Sequence, residues 1–263
     1  GGDSDHGEME ILFQFYGNEA EVGAAIADCG VDREDLYLAS KVWGTSIWEG
    51  PDAVRAQVMQ TIEDLKCAYL DLYCIHWPVP TKHVPAYIEL QKLQSEGLIK
   101  SLGVSNYAVE DYEELMAHPD VTVAPVVNQI EINPFLYRKN TIRFFEDSGV
   151  KLQAYRGLRD GKAFDHPVVL EVAQKHCKTA AQVLGRWCVQ KGFIFIPKSV
   201  SRHRMEENAQ IWGFELDSED MDALDGLTTS SNLETFHSLY RKCVYRDTPA
   251  DGTEDGIKHI TID

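Results

Sequence analysis

The sequence predicts an α/β protein of the (β/α)8-barrel class, in which residues 1–263 form a single domain with a polar C-terminal tail from about residue 228. Three observations lead to this prediction. The hydrophobic period changes repeatedly between that of a helix and that of a strand, which indicates βα units and a parallel sheet. Strand after strand ends in polar residues, and no G-x-G-x-x-G motif follows a first strand, as it would in an open dinucleotide-binding sheet. The 263 residues, of which 44% are hydrophobic, are enough to bury one barrel-sized core.

The first half of the chain shows the alternation clearly. Its predicted elements are, in order, a helix over 18–30, a strand over 35–43, a helix over 52–65, a strand over 69–78, a helix over 86–97 and a strand over 98–106. Gly30 and Gly97 end two of these helices and are well suited to a C-terminal cap. The strand "YLDLYCIHWP" is a nearly continuous apolar run, which is typical of a parallel strand buried on both faces.

The second half continues the pattern. Its predicted elements are a helix over 109–118, a strand over 123–133, a helix over 140–149, a strand over 150–157, helices over 166–176 and 179–192, a strand over 193–200, and helices over 204–212 and 218–227. Asp217 or Ser218 is expected to cap the last helix. Six strands are therefore predicted after residue 15.

Polar side chains finish these strands one after another. They are Lys41, His76, Ser105 with Asn106, Gln129, Tyr155, and Lys198 with Ser199. In a (β/α)8 barrel the carboxyl ends of the strands converge on one face, so residues distant in sequence meet in one site. This pattern favours a barrel enzyme over an open sheet.

The composition excludes several kinds of partner. The net charge of -17 argues against nucleic acid or an anionic membrane surface as the main partner. The six cysteines show no C-x-x-C pair and no histidine spacing typical of zinc, so we expect no metal and read most of them as small buried hydrophobes. No apolar run approaches the roughly 18 residues of a membrane span, and no signal peptide opens the chain, so we expect a cytoplasmic protein.

Seven motifs together resemble the aldo-keto reductase family, over about Phe15 to Leu227. They are "FYGNEAEVG", "LYLASKVW", "LDLYCIHWP", "GVSN", "VNQIEINP", "AYRGL" and "IPKSVSRHRMEEN". Each motif alone is weak, but all seven occur in the right order at a predicted strand end or helix start. The resemblance implies a barrel oxidoreductase (EC 1.1.1.-) that uses NADPH to reduce the carbonyl of a small aldehyde or ketone.

The resemblance also implies the catalytic residues. Tyr16 resembles the general acid that protonates the carbonyl oxygen, and Lys41 the ammonium that lowers the tyrosine pKa from its ordinary value of about 10. His76 resembles the residue that orients the carbonyl. Trp43 and Trp77 are implied to form an apolar wall for the substrate. Taken alone, a histidine after an apolar strand is more often a core residue, and the other motifs decide for catalysis.

The cofactor residues are implied in the same way. Ser105, Asn106 and Gln129 match the residues that hold the nicotinamide carboxamide, and Tyr155 matches the aromatic side chain that stacks on the ring, with Arg156, Gly157 and Leu158 following it. Lys198, Ser199 and Arg204 match the clamp on the adenosine 2′-phosphate, for which cations and helix N-terminal amides are suited. Glu207 and Asn208 match the adenine contacts. This basic cluster in an acidic chain favours NADPH over NADH.

The resemblance fails at the beginning of the chain. In the family, a first strand and helix precede a second strand with an aspartate five residues before the catalytic tyrosine, and here that residue is Ile11. Residues 1–15 are too short for two strands and a helix, and a barrel needs eight strands. Either residues around "MEI" and "LFQ" are missing from the sequence, or the protein is a truncated relative. We expect the former, because an open six-stranded barrel would expose two edges of apolar strand.

Two other functions compete with the reductase. A catalytically impaired NADPH-binding regulatory module would keep the cofactor residues, and the missing aspartate favours it, whereas Tyr16, Lys41 and His76 argue against it. A metal-dependent barrel hydrolase would need a His-x-His or carboxylate cluster at the strand ends, which the sequence lacks. The sequence leaves the carbonyl substrate open, and by resemblance the protein is expected to be a monomer.

Overall fold

The computed structural model describes residues 9–11, 17–253, 260 and 263, and residues 9–11 by their backbone alone. The chain forms two compact units: unit 1 is Gly1–Asn128 with Leu239–Ile260, and unit 2 is Gln129–Ser238 with Thr261–Asp263. The single domain expected from the sequence stays a prediction.

Unit 1 is built from a parallel sheet and the helices that connect its strands. Its strands are β1 (Met9–Ile11), β2 (Tyr37–Val42), β3 (Leu70–Ile75) and β4 (Ile99–Ser105), and its helices are α1 (Glu19–Asp28), α2 (Gly44–Glu49), α3 (Pro51–Asp64), α4 (His83–Ser95) and α5 (Val109–Ala117). The strands lie in the order β1-β2-β3-β4, and all three neighbouring pairs are parallel. Consecutive parallel strands joined by helices are the βα units that the sequence predicts.

Unit 2 continues the alternation. Its strands are β5 (Val127–Glu131), β6 (Lys151–Tyr155) and β7 (Ile194–Phe195). Its helices are α6 (Lys139–Asp147), α7 (Pro167–Lys175), α8 (Ala180–Gln190), α9 (Arg202–Ala209), α10 (Ser218–Asp225) and α11 (Ser230–Cys243). Strand β5 begins in unit 1, and helix α11 ends in unit 1. The strands β6 and β7 are parallel neighbours.

All six strands predicted after residue 15 are present, and each predicted helix has a counterpart. The caps explain several boundaries. Gly30 and Gly97 adopt positive φ angles of 73° and 81° just after α1 and α4, a conformation that glycine adopts without a steric penalty. Asp217 caps α10 by accepting a hydrogen bond from the Asp220 amide at 3.0 Å. In the described part of the chain, two α-helices were not predicted: the short α2, and α11, which lies in the segment predicted to be a polar tail.

The core of unit 1 is centred on β3, whose six residues are all buried. This confirms the prediction of a strand covered on both faces. The packing beside it leaves no space at Gly103 in β4, where a Cβ atom would lie 2.6 Å from the Cys74 sulfur and 2.7 Å from Val127 Cγ2. Glycine therefore lets β4 pack closely against its neighbours, which fixes the strand ends that follow.

The structure also bears on the expectations drawn from composition. Only two of the six free cysteines, Cys74 and Cys188, are buried, whereas Cys29 and Cys177 are exposed, so the reading of most cysteines as buried hydrophobes is wrong. Among the described residues, no group of three or more metal-ligating side chains lies close enough together to hold an ion. In the same part of the chain, every helix is too short or too polar to cross a membrane.

Candidate active site

Lys41 and His76 lie at the carboxyl ends of two adjacent strands of unit 1. In the register of β2 and β3, Lys41 pairs with Cys74 and Val42 with Ile75. The pairing extends one residue further, because the His76 amide donates to the Val42 carbonyl at 3.2 Å. The parallel register therefore brings together the lysine and the histidine that the sequence analysis predicted.

Burial determines the charge state of both groups. Lys41 is 3% exposed, and burial lowers its pKa from 10.5 to about 7. Burial also holds the pKa of His76 well below 6.5, and the nearby cations Lys41 and Arg246 lower it further. The Cys74 thiol supplies no counter-charge, since burial raises its pKa to about 12. His76 is therefore a neutral imidazole at physiological pH, and Lys41 changes charge near neutrality.

Two tryptophan rings flank His76. The Trp43 ring meets the imidazole edge-on with centroids 4.8 Å apart, and the Trp77 ring lies 6.3 Å away at an angle of 28°. Trp77 is 8% exposed and packs edge-on against Tyr240 of α11 at 5.6 Å. These aromatic surfaces are where the sequence analysis expected an apolar substrate wall.

Gln57 on α3 is a residue that the sequence analysis missed. Its amide nitrogen donates to the Lys41 carbonyl at 3.2 Å, and its carbonyl oxygen accepts from the Trp43 amide at 3.1 Å. One buried carboxamide thus fixes the backbone on either side of Val42. The contact joins α3 to β2 across 14 to 16 residues, and no local sequence pattern predicts it.

The segment before β2 is tied to the same strand. The Glu19 carboxylate is buried and accepts hydrogen bonds from Ser40 at 2.6 Å and Thr61 at 3.2 Å. Burial raises the pKa of Glu19, and the two hydroxyl groups oppose this shift. Glu19 is therefore held beside the residue that precedes Lys41.

Tyr16, the predicted general acid, lies outside the described residues. Ile11, which replaces the family aspartate, lies in β1, where its backbone pairs with Ala39 of β2.

Ser105 and Asn106 follow at the end of β4. Both are buried, and Asn106 adopts a left-handed φ of 60°. Its side-chain nitrogen donates to the His76 carbonyl at 3.0 Å and to the Ser105 hydroxyl at 3.1 Å. Asn106 is thus attached to the backbone of the predicted catalytic histidine, and Ser105 is attached to Asn106.

In unit 2, three predicted cofactor residues lie in or just after β5 and β6. Gln129 is the middle residue of β5, so the expectation that it ends its strand is wrong. Gln129 is buried and donates to the Gln153 side chain at 2.9 Å. Tyr155 ends β6 and is half-buried. Arg156 adopts a left-handed φ of 51°, and its guanidinium pairs with Glu131 at 3.1 Å and Asp160 at 2.8 Å. The Arg156 side chain is therefore engaged in ion pairs within unit 2.

Two other predicted cofactor residues follow Arg156 directly. Gly157 is buried, and a Cβ atom there would approach the Phe195 ring to 3.0 Å. Leu158 is half-buried. The structure thus explains Gly157 by packing, and its contact with a cofactor stays a prediction.

The predicted phosphate clamp lies after β7, also in unit 2. Lys198 and Arg204 are exposed, and Arg204 lies in the first turn of α9. The neighbouring Arg202 pairs with Glu206 at 2.9 Å, whereas Arg204 has no carboxylate partner in the described part of the chain. The Ser199 hydroxyl accepts from the Ser201 amide at 3.2 Å and so shapes the turn that enters α9.

The predicted adenine contacts lie further along the same helix. Glu207 is half-buried and Asn208 is 8% exposed. The structure places both on α9 beyond Arg204, and their role stays a prediction.

Comparison with solved structures identifies the fold class. A mutant of Gox0644 crystallised with NADPH matches with a TM-score of 0.79 and 33% identity, over 85% of this chain and 80% of that one. The aldose reductase from Schistosoma japonicum matches with a TM-score of 0.81 and 30% identity, over 94% and 92% of the two chains. These neighbours, and the parallel strands alternating with helices, define an oxidoreductase of the (β/α)8-barrel class.

The family follows from sequence comparison. The family model described as "Aldo/keto reductase family" matches residues 13–229. Glyoxal reductase of Bacillus subtilis is 42% identical over 218 residues, which cover 83% of this chain and 78% of that protein. The chain belongs to the aldo/keto reductase family, and the prediction of that family is confirmed.

Proposed function

We propose that the protein is an NADPH-dependent reductase that transfers a hydride to the carbonyl carbon of a small aldehyde or ketone. The observation that carries the proposal is the pair of Lys41 and His76, which the register of β2 and β3 brings together at the strand ends in a chain of this family.

His76 is suited to orient the carbonyl. Its imidazole is neutral because burial keeps its pKa well below 6.5. One nitrogen of a neutral imidazole carries a proton and can donate it in a hydrogen bond to the carbonyl oxygen. Asn106 and the Val42 carbonyl hold the His76 backbone at 3.0 Å and 3.2 Å, which limits how far the ring can shift.

Tyr16 is proposed as the general acid, and Lys41 as the group that tunes it. Tyr16 precedes Glu19 by three residues, and Glu19 is bonded to Ser40. A protonated Lys41 would lower the tyrosine pKa by favouring the phenolate, so the phenol would release its proton more easily.

The residues of each unit suit parts of a phosphorylated dinucleotide. In unit 1, the hydroxyl of Ser105 and the carboxamide of Asn106 can exchange hydrogen bonds with a nicotinamide carboxamide. In unit 2, the carboxamide of Gln129 can do the same, and Tyr155 offers a flat ring. Lys198, Ser199 and Arg204 would hold the 2′-phosphate, and the guanidinium of Arg204 suits this because no carboxylate in the described residues pairs with it. When bound, NADPH supplies the hydride.

The proposed substrate class is that of small dicarbonyl aldehydes such as glyoxal. The support is the 42% identity with a glyoxal reductase. The rings of Trp43 and Trp77 lie beside His76 and would form an apolar wall for the substrate. Larger aldehydes and ketones belong in the same substrate panel.

The test is single-turnover NADPH oxidation with glyoxal and a panel of other carbonyl compounds. Tyr16→Phe keeps the ring and removes the proton, so the reduction rate should fall by about a hundredfold or more while NADPH still binds. Tyr37→Phe is the matched control, because Tyr37 is an exposed tyrosine of β2 and should be silent. Near wild-type turnover in Tyr16→Phe would contradict the mechanism. A wild-type protein that binds NADPH but reduces nothing would favour the regulatory module.

A further inference from the structure

The turn after β4 carries an unusual backbone conformation at a residue of the proposed site. Asn106 has a φ of 60°, in the left-handed region, which asparagine enters more readily than most other non-glycine residues but still at an energetic cost. Ser105 precedes it, and α5 begins two residues after Tyr107. Contacts in the surrounding structure therefore help to stabilise this conformation.

The Asn128 side chain bonds to both the carbonyl and the amide of Tyr107, the residue after Asn106. Its amide nitrogen donates to the Tyr107 carbonyl at 3.0 Å, and the Tyr107 amide donates to the Asn128 carbonyl oxygen at 3.4 Å. Asn128 is fully buried, and Tyr107 is 1% exposed. The carboxamide thus replaces the backbone partner that a neighbouring strand would provide.

A second contact fixes the Tyr107 ring. Its hydroxyl lies 3.0 Å from Nδ1 of His83, the first residue of α4, which is itself 1% exposed. The residue after Asn106 is therefore held at its backbone and at the tip of its side chain. Rotation about φ of Asn106 would have to break these contacts.

The turn after β4 also positions two residues of the predicted site, His76 and Ser105. Through its side chain, Asn106 bonds to the His76 carbonyl at 3.0 Å and to the Ser105 hydroxyl at 3.1 Å. We infer that Asn128 is a positioning residue: by clamping Tyr107 it sets the conformation of Asn106, and with it the placement of His76 and of the side chains that hold the nicotinamide. This inference rests on the proposed function. Because successive side chains of a strand alternate in direction, Asn128 and its neighbour Gln129 serve opposite faces of β5.

The experiment compares Asn128→Ala with Gln91→Ala. Gln91 is a matched control because its carboxamide clamps another loop of unit 1, accepting from the Thr122 and Val123 amides at 2.8 Å each and donating to the Asp120 carbonyl at 2.9 Å. Both variants lose the same kind of backbone clamp. Only Asn128→Ala should lower the single-turnover hydride transfer rate at saturating NADPH, by about tenfold to a hundredfold, as expected when reacting groups are displaced by about 1 Å.

Two binding measurements separate positioning from loss of folding. Asn128→Ala should weaken the binding of NADPH. The affinity for 2′,5′-ADP, which lacks the nicotinamide, should stay within about twofold of the wild-type value. A parallel loss for both ligands would show a general structural effect and overturn the inference. Wild-type hydride transfer in Asn128→Ala would also overturn it.

Asn128→Asp provides a conservative rescue. The clamp uses one donor and one acceptor of the carboxamide. A protonated carboxyl group can supply both, whereas a carboxylate can only accept. The ratio of the Asn128→Asp rate to the wild-type rate should therefore rise as the pH is lowered from about 8 to about 5. A ratio that does not change with pH would contradict the clamp.

The inference can fail independently of the proposed function. A wild-type protein that neither binds NADPH nor reduces a carbonyl would refute the proposed function. A crystal structure of Asn128→Ala tests the clamp without any activity: a changed φ at Asn106 supports it, and a φ that stays near 60° overturns it.

Discussion

Replacing Lys41 with methionine should abolish turnover and yet stabilise the fold. The lysine is 3% exposed and packs beside β3, where the Cys74 thiol is neutral and offers no counter-charge. Burial is unfavourable for the ammonium because it removes the hydration of the charge, and a methionine of similar length removes the charge while filling the space. The catalytic residue is thus expected to be a source of instability.

The magnitude follows from the pKa of Lys41. Burial lowers it from 10.5 to about 7, and at 1.36 kcal/mol per pKa unit this corresponds to about 5 kcal/mol of lost stability when the folded lysine is charged. Between about pH 7 and pH 10.5 the unfolded chain binds more protons than the folded chain, so wild-type stability rises with pH across this interval. The penalty is complete below about pH 7 and has largely disappeared near pH 10.5.

The assay is urea unfolding of wild type and Lys41→Met at pH 6 and pH 9. The variant should be more stable by several kcal/mol at pH 6, and its advantage should shrink to about 2 kcal/mol at pH 9. Lys151→Met is the control, because Lys151 is an exposed lysine of β6 whose replacement should change stability by less than about 0.5 kcal/mol. A destabilised Lys41→Met, or an advantage that does not depend on pH, would refute the reasoning.

Three further predictions concern residues of both units. His76→Gln should lower kcat/KM strongly while NADPH still binds, which steady-state kinetics and a fluorescence titration would show together. Arg204→Ala should weaken NADPH binding by about tenfold to a hundredfold and leave NADH nearly unchanged, whereas Arg202→Ala, which removes the ion pair with Glu206, should change neither. Tyr240→Phe removes the 2.6 Å hydrogen bond to Asp111, whose pKa burial raises to about 6. Its cost in urea unfolding should therefore be about 1–3 kcal/mol above pH 6 and smaller at pH 5, where Asp111 is protonated.

The strands and most helices could be predicted because their signals are local. The apolar run of β3, the glycines after α1 and α4, and the polar residues at the strand ends all lie within a few positions of the feature that they indicate. The assignment to the family was predictable for a similar reason, since each motif is short and its order along the chain can be read directly. Monomeric state and cytoplasmic location have no such signal and stay predictions.

The residues that support the site could not be predicted in this way. Gln57 and Asn128 act on backbone atoms 14 to 21 residues away, and a carboxamide in a helix or strand has no sequence signature for such a contact. The same is true of Tyr240, which lies in α11 and bonds to Asp111 across 129 residues. Because α11 combines polar residues with a few apolar ones, its sequence predicts only a polar tail, although Tyr240 is 3% exposed.

The charge state of the site is the property that the sequence predicts least well. In water, a lysine loses its proton at a far higher pH than a histidine, with ordinary pKa values of about 10.4 and 6.5. Burial lowers the pKa of Lys41 to about 7 and holds the pKa of His76 well below its usual range. Lys41 lowers the pKa of His76 further only while the lysine carries its charge. The site therefore keeps a neutral imidazole to donate to a carbonyl, and beside it a lysine that can gain or lose a proton near neutral pH. Both properties require the burial of these strand ends of unit 1, and the stability lost at Lys41 is what that chemistry costs.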